Sequence, residues 1–118
     1  MTSHKNLEVW KESIKFVREI YVLTGPFPED ERYGLISQMR RAAVSIPSNI
    51  AEGAARNSRK EYIHFLSVSR GSLSELDTLL NISKDLGLVS DEGHRSCQGK
   101  VQAIGKMLTS LMKSLKRE

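Results

Sequence analysis

A chain of 118 residues is the size of one domain, taken as 1–118, long enough for a real core but near the small end for self-sufficient stability. Hydrophobic residues at 39% and charged residues at 27% exclude a disordered chain, and no apolar run approaches the roughly 20 residues of a membrane span, so no membrane association is expected. Lys and Arg number 18 against 14 Asp and Glu, a net +4 that permits polyanion binding without demanding it. The opening MTSHKNLEVW lacks the apolar stretch and small-residue cleavage site of a signal peptide, and the single Cys97 cannot form an internal disulfide; a cytoplasmic location is the expectation.

The first predicted helix starts after Asn6, a good N-cap, with Glu8 in its first turn. Leu7, Trp10, Ile14, Val17 and Tyr21 recur at heptad-like spacing, and Val9, Phe16, Ile20 and Leu23 add a second apolar strip. A helix apolar over so wide an arc either has a broad core face or buries surface against a neighbouring subunit. Thr24-Gly25-Pro26 stops it, and Phe27-Pro28-Glu29-Asp30-Glu31 turns the chain, placing acidic residues where the dipole of the next helix favours them.

The second helix is predicted over Arg32 to Gly53, with an end near Gly53 to Asn57. Leu35, Met39, Ala42, Ala43, Ile46 and Ile50 form its core stripe. Beside it runs a stripe of Gln38, Arg41, Ser45, Ser48 and Glu52, poorer in long charged residues than a solvated face and hence a candidate contact surface. Pro47, inside the helix, removes a backbone donor and is expected to bend it.

Ser58-Arg59-Lys60-Glu61 is a capping box that starts a third helix of roughly 28 residues, about 40 Å long at 1.5 Å per residue. Tyr62, Leu66, Leu73, Leu76 and Leu80 form its core seam, and Leu86-Gly87 its exit. Ser67, Gly71, Ser74 and Thr78 make a ladder of small residues, whose expected partner is Ser45 and Ser48 on the second helix. Ser90 caps a fourth helix with Cys97, Val101, Ile104, Leu108, Leu111 and Leu115 as its seam and Met107 and Met112 alongside. Gly99 and Gly105 there are candidate points of close contact. Four long helices, short turns and no strand signal predict an all-α, antiparallel up-down-up-down four-helix bundle.

Signals for catalysis are sparse. Glu61 and His64 have the Glu-x-x-His spacing of di-iron bundles, but it occurs once, so no metal site is expected. His94 and Cys97 share a face without further ligands. Arg59 and His64 fit the Arg-x-x-x-x-His signature of HEPN ribonucleases, in which the histidine would work in acid-base cleavage of RNA without a metal. No phosphate loop, Ser-His-Asp arrangement or paired-cysteine motif is present, so no cofactor is implied and the expectation is that the protein is not an enzyme.

Three segments, LEVWKESIKFVREIY, RYGLISQMRRAAVSIPSNIAEGAARNSRKEYIHFL and GSLSELDTLL, together resemble the bacterial 23S rRNA-intervening sequence protein family of four-helix-bundle proteins. SQMRRAAVSIPSNIAEG is the most specific part, and the resemblance spans nearly the whole chain. His64 departs from the pattern, which would place a basic residue such as arginine there. The family is similar to the accessory protein of diversity-generating retroelements, a pentameric barrel that binds nucleic acid and a reverse transcriptase. The resemblance therefore implies a homo-oligomer, with a pentamer favoured, and an RNA, other nucleic acid or protein partner. On that reading Arg40, Arg41 and Arg56 contact phosphate, while Ser45, Ser48, Asn49 and Glu52 fix helix register or subunit contacts. A purely structural scaffold is the remaining alternative.

Overall fold

Apolar residues at three-and-four spacing wind the chain into helices wherever caps and turn residues permit, and among residues 3–117, which the computed structural model describes, four α-helices result and no strand. They are α1 (Glu8–Thr24), α2 (Ser37–Ala54), α3 (Arg59–Asp85) and α4 (Asp91–Arg117). Sequential helices pack as antiparallel neighbours and α4 returns to α1, closing an elongated four-helix bundle of 46 × 24 × 20 Å.

The N-cap of α1 falls at Leu7 and not at Asn6, with no side-chain cap. Asn6 closes a short 3-10 turn, His4–Asn6, whose own cap is Ser3. Of the two apolar strips on α1, the second faces the core: Val9, Phe16 and Ile20 are buried together with Ser13 and Thr24. The buried hydroxyls bond their own helix, Ser13 Oγ to the Trp10 carbonyl at 2.8 Å and Thr24 Oγ1 to that of Ile20 at 2.8 Å, so their burial leaves no donor unmatched.

The entry to α2 is not the plain helix expected from Arg32. Glu29–Glu31 form a 3-10 turn and Arg32–Ile36 a kink, with Gly34 at φ −108° and ψ −112°, outside helical space. The Glu31 carboxylate accepts from the Leu35 N–H at 3.3 Å, which satisfies one amide this irregularity exposes. From Ser37 onward α2 is regular and runs through Pro47, which is buried, without a break. Met39, Ala42, Ala43, Ile46 and Ile50 meet the core as their spacing predicts, while Leu35 is half-buried at its edge.

Ser58 caps α3 by accepting from the Glu61 N–H at 3.0 Å; the return bond of a full capping box is not formed among the described residues. Its 27 residues bury Leu66, Leu73, Leu76, Leu79 and Leu80. Gly87, at φ 77°, takes the left-handed conformation that ends the helix, and the Leu88 N–H reaches back to the Ser83 carbonyl at 2.9 Å. Ser90 caps α4 through the Gly93 N–H at 3.0 Å. That helix buries Cys97, Ile104, Leu108 and Met112, so Met112 sits in the core and Leu111 at its margin.

Candidate functional site

Arg40 and Arg41 on α2 and Arg56 in the turn just after it point in different directions. Arg40 turns back to the end of α1: its Nε donates to Thr24 Oγ1 at 2.9 Å, its Nη2 donates to the Tyr21 carbonyl at 3.2 Å, and its guanidinium lies 4.4 Å from the Tyr21 ring centroid. A cation at the carbonyl end of a helix is favoured by the helix dipole, and stacking on the ring adds to that. Arg40 thus fastens α2 to α1. Arg41 is exposed and donates to Ser37 Oγ, one turn back, at 3.2 Å. It stands with Gln38, Ser45, Ser72 and Glu75 around a polar cleft of about 390 Å³ between α2 and α3. Arg56 pairs with Glu52 at 3.0 Å and covers the Phe65 ring at 4.8 Å from its centroid. At 1.5 Å per residue it stands on the order of 20 Å along the bundle from Arg41.

Ser45, Ser48, Asn49 and Glu52 likewise divide. Ser45 Oγ and Ser72 Oγ hydrogen-bond across α2 and α3 at 2.8 Å, and Asn49 Nδ2 donates to both the carbonyl and the Oγ of Ser45, at 2.8 and 2.9 Å. Asn49, Ser45 and Ser72 therefore form one polar chain at the edge of this seam. Ser48 is exposed and bonds only the Val44 carbonyl of its own helix, at 2.8 Å.

The ladder expected to meet these serines is on the wrong flank. Ser67, Gly71, Ser74 and Thr78 are all exposed, and a Cβ added at Gly71 would touch nothing within 4 Å. The small residues facing α2 are Ser72 and Ser69, whose buried Oγ donates to the Ile46 carbonyl at 2.9 Å. Closest approach comes at Gly53, where an added Cβ would stand 2.9 Å from Phe65 Cβ and 3.1 Å from the Tyr62 carbonyl oxygen. Of the two glycines marked on α4, a Cβ added at Gly105 would stand 3.6 Å from Leu73 Cδ2, in ordinary contact, and one added at Gly99 would meet nothing within 4 Å, so neither marks a close approach.

Arg59 and His64 are both exposed, about 140° apart around α3 at 3.6 residues per turn, and Glu61 is exposed beside them. The His64 ring packs edge-on against Phe65, with centroids 5.4 Å apart. His94 Nε2 bonds Asn81 Oδ1 at 2.9 Å across α3 and α4, away from the Cys97 thiol. Burial, and after it the Glu19 carboxylate, push the Cys97 thiol up, with Lys100 opposing; the sulfur is thus held protonated, the form that neither ligates nor attacks. Among the described residues no group of three or more His, Cys, Asp and Glu is placed to hold a metal ion.

Thr24, Ser69 and Ser72, which join the helices most directly, were not singled out from the sequence. Their signal was phase: Thr24 continues the Val9, Ser13, Phe16, Ile20 series, and Ser69 lies between Leu66 and Leu73 on the seam itself.

Residues 5–110 match the family model of the 23S rRNA-intervening sequence protein. A crystal structure of a protein with unknown function from the S23 ribosomal protein family of Bacteroides thetaiotaomicron is similar in fold, with a TM-score of 0.80 and 24% sequence identity over 89% of this chain and 98% of that one. No curated protein matches.

Proposed function

The chain belongs to the 23S rRNA-intervening sequence protein family, and on that premise we propose that it is a non-enzymatic bundle that associates with copies of itself and serves as an accessory binding RNA or a nucleoprotein. The observation that carries self-association is an apolar strip at the margin of the core. Ile14 and Tyr21 on α1 are 37% and 44% exposed and Val44 on α2 is 40% exposed, while Trp10 and Val17 of the same α1 strip are half-buried against the core. Val44 lies one turn beyond Arg40, on the α2 face that Arg40 turns toward α1. Side chains of this kind in a continuous strip mark a contact surface.

A closed ring, with five copies favoured by the resemblance, covers such strips by one repeated contact. Each copy adds a formal +4 to the shared field, which strengthens attraction for a polyanion. Arg41 on the exposed face of α2 and Arg56 in the turn after it supply phosphate contacts, and Arg40 holds α2 against α1. The cytoplasm suits a chain with one thiol. No helix among the described residues is long and apolar enough to cross a membrane.

Light scattering after size exclusion tests the reading. The expected mass is a multiple of 13.3 kDa, and the double variant Ile14→Glu, Val44→Glu is expected to fall to 13.3 kDa. A wild-type monomer at every concentration would remove self-association from the proposal.

A further inference from the structure

A surface cleft of about 660 Å³ lies between α3 and α4. Leu73 and Val101 form an apolar floor, and the rim carries Arg70 from α3 and Lys106 and Lys113 from α4. Ser74, Thr109 and Ser110 place hydroxyls among these cations. Some cations of the bundle are paired with acids, as Lys11 with Glu8, Lys15 with Glu12, and Arg56 with Glu52; the groove cations are among those that are not. Among the described residues, no carboxylate comes within 4.0 Å of Arg70, Lys106 or Lys113. Asp77 is the one acid in the lining, and its Oδ1 is occupied by the side-chain amides of Gln98 and Asn81.

The helix register concentrates these charges. Leu73 lies beside Gly105 and Asp77 beside Gln98, so counting back along antiparallel helices sets Arg70 opposite a point between Lys106 and Lys113. The two lysines are seven residues apart on α4, about 10 Å at 1.5 Å per residue. Three cations from two helices thus surround Thr109 and Ser110. Cations without acidic partners, interleaved with hydroxyl donors, are the groups that hold phosphate oxygens. The lining contains no aromatic ring to act as a stacking platform for bases.

From this arrangement we infer that the α3–α4 groove is a binding site for the sugar-phosphate backbone of single-stranded RNA, engaged without reading its sequence. A groove between two packed helices, whose axes lie about 8–10 Å apart, admits one strand but is too narrow for a duplex. The inference rests on the nucleic-acid reading of the preceding section and gives it a location that α2 alone does not provide.

Fluorescence anisotropy of a fluorescein-labelled single-stranded RNA, titrated with the full chain from low to physiological salt, tests it. Lys106→Gln with Lys113→Gln is expected to weaken binding at least about tenfold and to lower the salt slope by about 1.4, at about 0.7 for each single-strand phosphate no longer neutralised. The charge-matched control Lys84→Gln with Arg95→Gln, near the far ends of α3 and α4, is expected to change affinity less than about threefold. If the wild type binds and the groove variant behaves like the control, the groove is not the site and the nucleic-acid reading stands. If the wild type does not bind even at low salt, both fail. Equal binding of a duplex through Lys106 and Lys113 would overturn the single-strand assignment.

Discussion

The seam between α2 and α3 and the seam between α4 and α1 belong to one bundle but are built on different terms. Along the first, Gly53 lets the helices touch, Ser69 bonds the Ile46 carbonyl, and Ser45 bonds Ser72 beside the polar cleft of about 390 Å³, so direct contacts fix the seam although it is not free of space. Along the second, clefts of about 360, 70 and 320 Å³ follow one another from Leu7 and Leu111 past Glu12 and Ala103 to Val22 and Cys97. The Lys100–Glu19 pair bridges that seam, and the second oxygen of Glu19 is buried without a hydrogen-bond partner. Small residues draw helix axes together until backbones and hydroxyls meet, whereas long charged side chains hold them apart and leave space beside their stems. Register is therefore specified on the α2–α3 side, and the α4–α1 side keeps room for adjustment.

Substitutions on the two seams should separate this view from one of uniform packing. Gly53→Val carries the largest expected effect, because even its Cβ would collide with Phe65 and with the Tyr62 backbone; a loss of about 3 kcal/mol is expected in urea unfolding. A loss under about 1 kcal/mol would mean that the seam slides apart easily and specifies little. Ser69→Ala removes a buried donor from the Ile46 carbonyl and is expected to lower stability by about 1 kcal/mol, read from the same unfolding curves. The smallest effect belongs to the open seam. Glu19→Gln should shift stability by less than about 0.5 kcal/mol, since the side chains of both Lys100 and Glu19 are more than a third exposed and water screens the pair. A shift as large as that of Ser69→Ala would erase the contrast between the seams.

The sequence made the bundle readable because core seams, caps and exits are local. Ser58, Ser90 and Gly87 act within a few residues of their own positions, and the Leu66, Leu73, Leu76, Leu80 seam needs only the helix period. What depends on a neighbouring helix was harder to see. The ladder Ser67, Gly71, Ser74, Thr78 is a true helical face, but it lies on the flank of α3 away from α2, and the flanking choice comes from how the chain turns after α2. Arg40 looked free because its acceptors, Thr24 and the Tyr21 carbonyl, stand 16 and 19 residues back. Gly53 gave no signal of close approach because the atoms it spares are on α3. The groove cations escaped for the same reason: Arg70 joins Lys106 and Lys113 only once α3 and α4 are side by side.

The kink at Arg32–Ile36, where Gly34 leaves helical space, uncouples the helical phase of α2 from the chain before it. A deletion at Gly34 falls in that kink, ahead of the regular turns that begin at Ser37. The same deletion inside α2 would rotate every following side chain by about 100° and carry Ile46 and Ile50 off the core. The core face of α2 is therefore sensitive to chain length after Ser37 and tolerant of it in the kink before.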